Sequence, residues 1–593
     1  MTKRTVRVSR CLLVLLAGAT ILSGCKDGGG NEGDGDDQGD PAAEDVNRDD
    51  LQVEDTAAED GEDEAEDTVA DDAEGVVPEE ALAFPGAQGS GVRTQGGRGE
   101  CTGESCTGSV CRVTTLEDTE DPGSLRSCIN QAGPRILVFA VGGTIQLSDD
   151  LPTLTIENPY ITIAGQTAPG DGIQLSGKGL SAKDNLSVST HDVVIRYLRS
   201  RHGDAGGVGD QIGQPIEIAP CSACDIYNLV VDHCSLAWSQ DENIGIWSNN
   251  LEDGPDMVPR EMTYSWNIAA EALFGHPTNV LTGSDYSILA DGQTDIDFHH
   301  NFFTNSSYRN PLLKNRSSRI VNNVIYNWNI FATETVGGVE ADIIGNVYTY
   351  GPDSTGRAEI QAYANRNDCH DGTPDGSGTD TCPAETCGGY CDHASGQPSL
   401  YVEGNVGPSD PDPTADSNWS SMVMECEGEG GGEVGPMPDE YRRSPWAPLP
   451  APASGVDIVP DPAAGLDEAL LALVGASRRL DCFGAWVFNR DSTDLRLAAE
   501  YVDGTGQYPV SETDVGGFPE IRQIEAGATC APDAADNSDC SCLDGDEDGM
   551  PDAWESAWGL DPADPADAFR TDLWNDGYTN IEHYINGMNP ATP

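Results

Sequence analysis

One short stretch of the chain concentrates side chains that bind carboxylates. NSSYRNPLLKNRSSR, residues 305–319, contains Arg309, Lys314, Arg316 and Arg319, although the chain has only 31 Lys plus Arg against 101 Asp plus Glu. A guanidinium stays protonated near neutral pH and donates hydrogen bonds in pairs, so by itself it acts as a clamp on carboxylates. The stretch therefore predicts a site for an anionic ligand among these four cations.

A second stretch, DGDEDGMPDAWE at residues 544–555, places oxygen donors at the spacing of a calcium loop. Carboxylates occupy positions 1, 3, 5, 9 and 12, and glycine occupies position 6. The predicted ligands are Asp544, Asp546, Asp548, the Met550 carbonyl, Asp552 and Glu555. The alternative is an acidic surface loop without an ion. We expect a small C-terminal calcium-loop and helical module over residues 526–593.

The N-terminus predicts export. Four cations precede an apolar run from Cys11 to Leu22, which is too short to span a membrane, and Leu-Ser-Gly-Cys follows it. We interpret residues 1–24 as a lipoprotein signal peptide and Cys25 as the lipidated residue; the alternative is an ordinary signal peptide. Residues 25–82 are rich in Asp, Glu, Gly and Ala, so we expect a disordered acidic tether.

Cysteine usage and charge narrow the class of protein. After Cys11 and Cys25 are set aside, 16 of the 18 cysteines remain, an even number that favours disulfides in an exported protein. Cys221 with Cys224, and the group at Cys369, Cys382, Cys387 and Cys391, leave zinc ligation as the alternative. The formal net charge of -70 argues against nucleic acid as a partner.

The middle of the chain has the pattern of a β-solenoid. Short runs rich in Val, Ile, Tyr and Phe alternate with Gly, Asn and Asp between about 155 and 405. When these runs are aligned, the residue that follows a polar pair occupies an equivalent position in each run. Successive equivalent positions are 22 or 23 residues apart in regular coils and further apart in coils with inserted loops. These positions are Cys234, Asn267, Asn301, Asn323, Asn346 and Asn405. We expect an all-β parallel β-helix with stacked asparagines inside, in preference to a β-sandwich.

Several stretches resemble successive signatures of the pectate lyases of polysaccharide lyase family 1. They run in the same order: AFPGAQGSGVRTQGGRG from Ala83, PGSLRSCI, ITIAGQTAPGDGI, VVDHCSLAWSQDE, FHHNFFTNSSYRNP, NNVIYNW and DVGGFPE ending at Glu520. This resemblance implies a right-handed parallel β-helix over residues 83–525. It also implies calcium-dependent β-elimination of pectate, an acidic plant-type polysaccharide.

The resemblance also implies roles for individual residues. Arg309, in Arg-Asn-Pro, would be the catalytic base, and Lys314 and His276 would contact substrate. This leaves Arg316 and Arg319 as expected residues of the surface or the edge of the packed strands. Asp241 and Glu242 would be calcium ligands, with a further ligand at Asp210 or, if the strand IEI is aligned instead, at Gln214. Calcium is the expected cofactor. Asp232 and His233 would be structural.

The sequence leaves two functional alternatives. One is a polygalacturonase-type glycoside hydrolase, which needs a pair of positioned carboxylates; its Gly-His-Gly and Arg-Ile-Lys motifs do not occur in this chain. The other is a non-catalytic β-helix that binds carbohydrate or mediates adhesion. We expect a monomeric enzyme that is exported and either lipid-anchored to a bacterial membrane or secreted.

Overall fold

The structure is a computed structural model of the 593-residue chain. It describes residues 81–177, 184–204, 213–218, 224–248, 257–273, 275–284, 286–364, 394–414, 416–426, 431–574 and 576–588. The described residues all belong to the compact unit Val76–Pro593. Asp210, Cys25 and the cysteines from Cys369 to Cys391 lie outside them.

Three long sheets form the body of the described chain, and successive coils contribute one strand to each sheet in parallel pairing. The first sheet contains Ser109–Val113, Arg135–Phe139, Ile161–Ala164, Val193–Arg196, Leu229–Asp232, Met262–Ser265, Ile296–His299, Ser317–Val321, Glu340–Ile344 and Ser399–Glu403. The second contains Gly143–Gln146, Ile173–Ser176, Arg199–Arg201, Ser235–Ala237, Ile268–Ala270, Phe302–Thr304, Val324–Tyr326 and Val347–Thr349. The third contains Thr155–Ile156, Ser187–Val188, Ile216–Ile218, Glu242–Trp247, Thr278–Gly283, Leu312–Leu313, Thr333–Val336, Ile360–Tyr363, Val423–Cys426 and Glu433–Pro436, the last antiparallel. This arrangement confirms the predicted parallel β-helix.

Short helices and two hairpins decorate the sheets. The α-helices in the described chain are Leu125–Asn130, Ser287–Ala290, Ser417–Met422, Leu466–Leu471, Ser492–Asp503, Asp552–Trp558 and Asn580–Ile585. Its 3-10 helices are Gly96–Arg98, Gly165–Thr167, Asp439–Tyr441 and Glu512–Val515. The hairpins pair Cys101–Thr102 with Ser105–Cys106 and Arg478–Leu480 with Trp486–Phe488. None of the described helices is long and apolar enough to cross a membrane.

An asparagine ladder runs through the interior where the sequence predicts it. The Asn267 side chain accepts from the Cys234 backbone N–H at 2.8 Å, and the Asn301 side chain accepts from that of Asn267 at 2.9 Å. The same contact repeats between the later members, in order Asn301, Asn323, Asn346 and Asn405. Each amide both donates and accepts, so the ladder satisfies buried backbone groups while apolar residues such as Ile195 and Phe298 fill the core.

Disulfides confirm the predicted oxidised state of much of the cysteine set. The described chain has bonds Cys101–Cys106, Cys111–Cys128, Cys482–Cys542 and Cys530–Cys540. Cys224 is also disulfide-bonded, which disagrees with zinc ligation at this residue. Cys234 is a buried thiol within the asparagine ladder, so the even number of cysteines does not mean that every one is paired.

Candidate functional site

An acidic cluster lies at the start of two neighbouring strands of the third sheet. Glu242 begins the strand Glu242–Trp247 and pairs in register with Thr278, and His276 lies two residues before Thr278. Ligand atoms of Asp241, Glu242 and His276 lie within 4.8 Å of one another. His276 Nδ1 is 2.6 Å from Asp241 Oδ1. Parallel stacking thus joins three residues that the sequence separates by up to 35 positions.

Arg309 reaches this cluster from the next coil. It precedes the strand Leu312–Leu313, which pairs with Thr278–Gly283. Its guanidinium forms an ion pair with the Glu242 carboxylate, and the two side chains are 14% and 4% exposed. The backbone carbonyl of Arg309 accepts a hydrogen bond from the Val280 N–H at 2.7 Å. The sequence-predicted residues Arg309, Glu242, Asp241 and His276 are therefore brought together.

Glu217 is an acidic residue of this site that the sequence reasoning missed. It lies in the middle of the strand Ile216–Ile218, where it pairs with Gly245 of the strand that begins at Glu242. Burial raises the pKa of Glu217, and a hydrogen bond with Asp184 and the charges of Asp241 and Glu242 raise it further. The sequence feature that could have indicated it is a single carboxylate between Ile216 and Ile218.

Gln214, the other position proposed for an acidic ligand, packs against the site instead. Its side chain covers Gly245, where a Cβ would lie 2.1 Å from Gln214 Oε1. A side chain at position 245 would displace the Gln214 amide from this position. Asp210 lies outside the described residues, so its assignment stays a prediction.

The charges within the cluster are unbalanced. Burial raises the pKa of Glu242; the Arg309 guanidinium opposes this rise and the Asp241 carboxylate adds to it. The pKa of Asp241 is lowered despite its burial, because His276 hydrogen-bonds to it and His276 and Arg309 carry favourable charge. Burial and mutual repulsion thus disfavour the ionised forms of Glu242 and Glu217, and a bound cation would stabilise those forms. The carboxylate oxygens and the imidazole are a donor set that suits a divalent metal ion.

Lys314 lies at the other end of the strand Leu312–Leu313 from Arg309. Its ammonium is 5.6 Å from the centroid of the Trp247 ring, and the residue is 6% exposed. Arg316 is 34% exposed and pairs with Glu340, as expected for a surface residue. Arg319 is 5% exposed and contacts Asp295 and Asp297 at 3.0 and 3.1 Å, so it belongs to the stack rather than to the surface.

Asp232 and His233 have structural contacts at the first sheet. Asp232 accepts from Arg196 Nε at 2.9 Å and from the Ser265 hydroxyl at 2.8 Å, while His233 Nδ1 is 2.8 Å from Asp232. The Asp232 carboxylate is almost completely buried, and these partners account for its charge.

Comparison with known proteins yields pectate lyases. No family model matches the chain. The chain is 29% identical over 518 residues to the probable pectate lyase C of Aspergillus flavus, covering 86% of this chain and 95% of that protein. The corresponding protein of Aspergillus oryzae gives the same identity and coverage. The one of Emericella nidulans is 29% identical over 510 residues, covering 86% and 93%.

Solved structures with similar folds include two at 16% sequence identity. The major cedar pollen allergen Jun a 1 has a TM-score of 0.41, over 66% of this chain and 92% of that one. Pectate lyase II from Xanthomonas campestris has a TM-score of 0.34, over 66% and 98%. The strand pairing within the chain itself establishes the β-helix.

Proposed function

We propose that this protein is a pectate lyase that cleaves pectate-type polysaccharide by calcium-dependent β-elimination. The observation that carries the proposal is the position of Arg309, paired with Glu242 at the edge of the acidic cluster on the third sheet. The names of the relatives, which match over 86% of the chain, support it further.

The reaction needs a base and a means of neutralising charge. Removal of the proton at C5 of a uronate leaves an electron pair that forms the C4–C5 double bond. The C4–O bond breaks, and the departing oxygen takes a proton. Because C5 lies next to a carboxylate, negative charge develops there during proton removal and must be stabilised.

The residues present fit a calcium ion. Asp241 and Glu242 supply carboxylate oxygens at the start of one strand, and Glu217, on the adjacent strand, is proposed as a further carboxylate ligand. Oxygen ligands of this kind suit calcium. When bound, the ion would supply Lewis-acid stabilisation of the substrate carboxylate. Asp210 remains a predicted additional ligand. His276 holds Asp241 through a 2.6 Å contact, and its proposed contact with substrate stays a prediction.

The cationic residues have separate proposed roles. Arg309 is the proposed base at C5, a role implied by the resemblance of Arg-Asn-Pro to the lyase motif. It would accept the C5 proton as the neutral side chain, after its own proton has passed to solvent. Its pairing with Glu242 holds the guanidinium beside the acidic cluster. Lys314 is the proposed clamp on a neighbouring uronate, with its side chain oriented by the Trp247 ring.

Export and anchoring complete the proposal. The disulfides support folding in an oxidising compartment. We propose cleavage before Cys25 and lipidation of its thiol, which would hold a monomeric enzyme at the bacterial cell surface. Mass spectrometry of the mature N-terminus tests this, since an unacylated Cys25 in the membrane fraction would refute it.

The decisive experiment incubates the purified protein with polygalacturonate in the presence of calcium or EDTA. A calcium-dependent rise in ultraviolet absorbance of the unsaturated product is expected. New reducing ends without absorbance would mean hydrolysis, and neither signal would mean a non-catalytic carbohydrate-binding protein or an enzyme for another uronate.

Two matched variants test the assignment of Arg309. Arg309→Lys should lower the rate by about a hundredfold or more, the usual contribution of a positioned acid–base group. Arg316→Lys, in the same stretch but at the surface, should leave the rate unchanged. Full activity of Arg309→Lys would refute the assignment.

A further inference from the structure

A second acidic cluster lies far along the chain, in the C-terminal segment. Its carboxylates form two groups that share Asp548: Asp544 with Asp546, and Glu555 with Asp567. Ligand atoms within each group lie within 4.8 Å of one another. Asp548, Glu555 and Asp567 are at most 3% exposed. The cluster therefore lies inside the protein rather than on an acidic surface.

Buried oxygens of this cluster have no partner in the described structure. Both carboxylate oxygens of Glu555 and of Asp546 lack a hydrogen bond, as do Asp548 Oδ2 and Asp567 Oδ1. Glu555 is 0% exposed. Unpartnered buried carboxylates are unfavourable unless a cation neutralises them.

The structure adds a carboxylate from outside the loop to the residues expected within it. Asp552, at loop position 9, accepts a hydrogen bond from the Gly545 N–H at 2.6 Å, and its assignment as a ligand stays a prediction. Asp567 lies outside the loop, beyond the helix Asp552–Trp558, yet joins Asp548 and Glu555. The Met550 carbonyl stays a predicted ligand.

The loop is built onto the β-helix. Arg112, in the first strand of the first sheet, contacts Asp544 at 3.3 Å. A Cβ on Gly549 would lie 3.1 and 3.2 Å from side-chain carbons of Val110 and Val138, and Gly549 has φ of +91°. Trp554 packs in one hydrophobic cluster with Val138. The loop that contains the carboxylates therefore also packs against the first coils of the β-helix.

We propose that Asp544, Asp546, Asp548, Glu555 and Asp567 bind a calcium ion that fastens the C-terminal segment to the first coils of the β-helix. Five carboxylates on a short loop and a following segment suit the flexible, high coordination number of calcium. The ion would fix Asp567 to the loop and so close residues 544–567 into one unit. The site is separate from the acidic cluster at Arg309 and does not depend on the proposed function.

The test measures calcium on the full chain by equilibrium dialysis with metal analysis. Asp567→Asn and Glu555→Gln should each weaken one calcium site by about tenfold or more. Glu547→Gln is the matched control, because Glu547 lies in the same loop but its side chain is 77% exposed to solvent and pairs with Arg112. Wild-type affinity in Asp567→Asn, or loss of the site in Glu547→Gln, would overturn the ligand assignment.

Limited proteolysis provides a readout that is independent of activity. The Cys482–Cys542 disulfide retains the chain up to Cys542, so cleavage after Leu543 would release the remainder. Calcium should protect this remainder in the wild type and in Glu547→Gln, and EGTA should expose it. Equal protection with EGTA, or with magnesium in place of calcium, would overturn the proposal. If Glu555→Gln does not fold, the wild-type comparison and Asp567→Asn still decide.

Discussion

Replacement of Asn323 by alanine tests the asparagine ladder that holds the coils in register. The Asn323 Oδ1 accepts from the Asn301 backbone N–H and side-chain amide, both at 2.9 Å. Its Nδ2 donates to the Phe298 carbonyl at 2.9 Å and to Asn346 Oδ1 at 3.0 Å. Asn323 is 0% exposed, so water cannot readily replace these contacts.

The magnitude follows from the partners that lose a contact. Four hydrogen bonds disappear, each with a net value of about 1 kcal/mol, which gives a loss of about 4 kcal/mol in the free energy of unfolding. The Asn301 amide keeps its bond to the Tyr264 carbonyl, and Asn346 Oδ1 keeps the Asn323 backbone N–H. These remaining bonds limit the loss, whereas the Asn301 backbone N–H loses its side-chain acceptor.

Urea unfolding followed by circular dichroism measures this loss. Asn158→Ala is the matched control, because its side chain makes one exposed hydrogen bond, to the Asn130 carbonyl at 3.1 Å. The control should lose less than about 1 kcal/mol. If Asn323→Ala also lost less than about 1 kcal/mol, the ladder would not be the stabilising element described here.

Other predictions concern the acidic site and a buried ion-pair network. Glu217→Gln should raise the calcium concentration for half-maximal lyase activity by about tenfold, measured by calcium titration; an unchanged midpoint would remove Glu217 from the ligand set. Arg201→Met should lower the free energy of unfolding in urea by about 3 kcal/mol or more, because the Arg201 side chain is 1% exposed and contacts Asp491 and Asp494 at 2.9 Å. Arg522→Met is the control: the Arg522 side chain is 50% exposed, so the loss should be about 0.5 kcal/mol or less. Burial alone would raise the pKa of Asp491, but the Arg201 and Arg199 guanidiniums hold it below its usual range. The ionised Asp491 carboxylate therefore contributes fully to the free energy of unfolding above that range, and this contribution is lost as the pH falls through the lowered pKa. Unfolding measured from pH 6 down to pH 2 should show this loss, and an equal acid dependence in Arg201→Met would contradict it.

The sequence alone predicted the repeating architecture and drew attention to Arg309 as a candidate site residue. The ladder from Asn267 to Asn405 could be predicted because one buried amide per coil leaves a regular spacing in the chain. Arg309 was conspicuous because cations are scarce in a chain with 101 acidic residues. The pattern Asp544 to Glu555 likewise depends only on local spacing.

Tertiary structure alone decided which of these residues meet. Glu242 and Arg309 are 67 positions apart, and their contact depends on the stacking register of coils whose loops differ in length. Glu217 was missed because its strand aligns with Glu242–Trp247 only in three dimensions. Asp567 could not be predicted for the same reason: it joins Asp548 and Glu555 only because the chain folds back after the helix Asp552–Trp558, which the local spacing of the loop does not indicate.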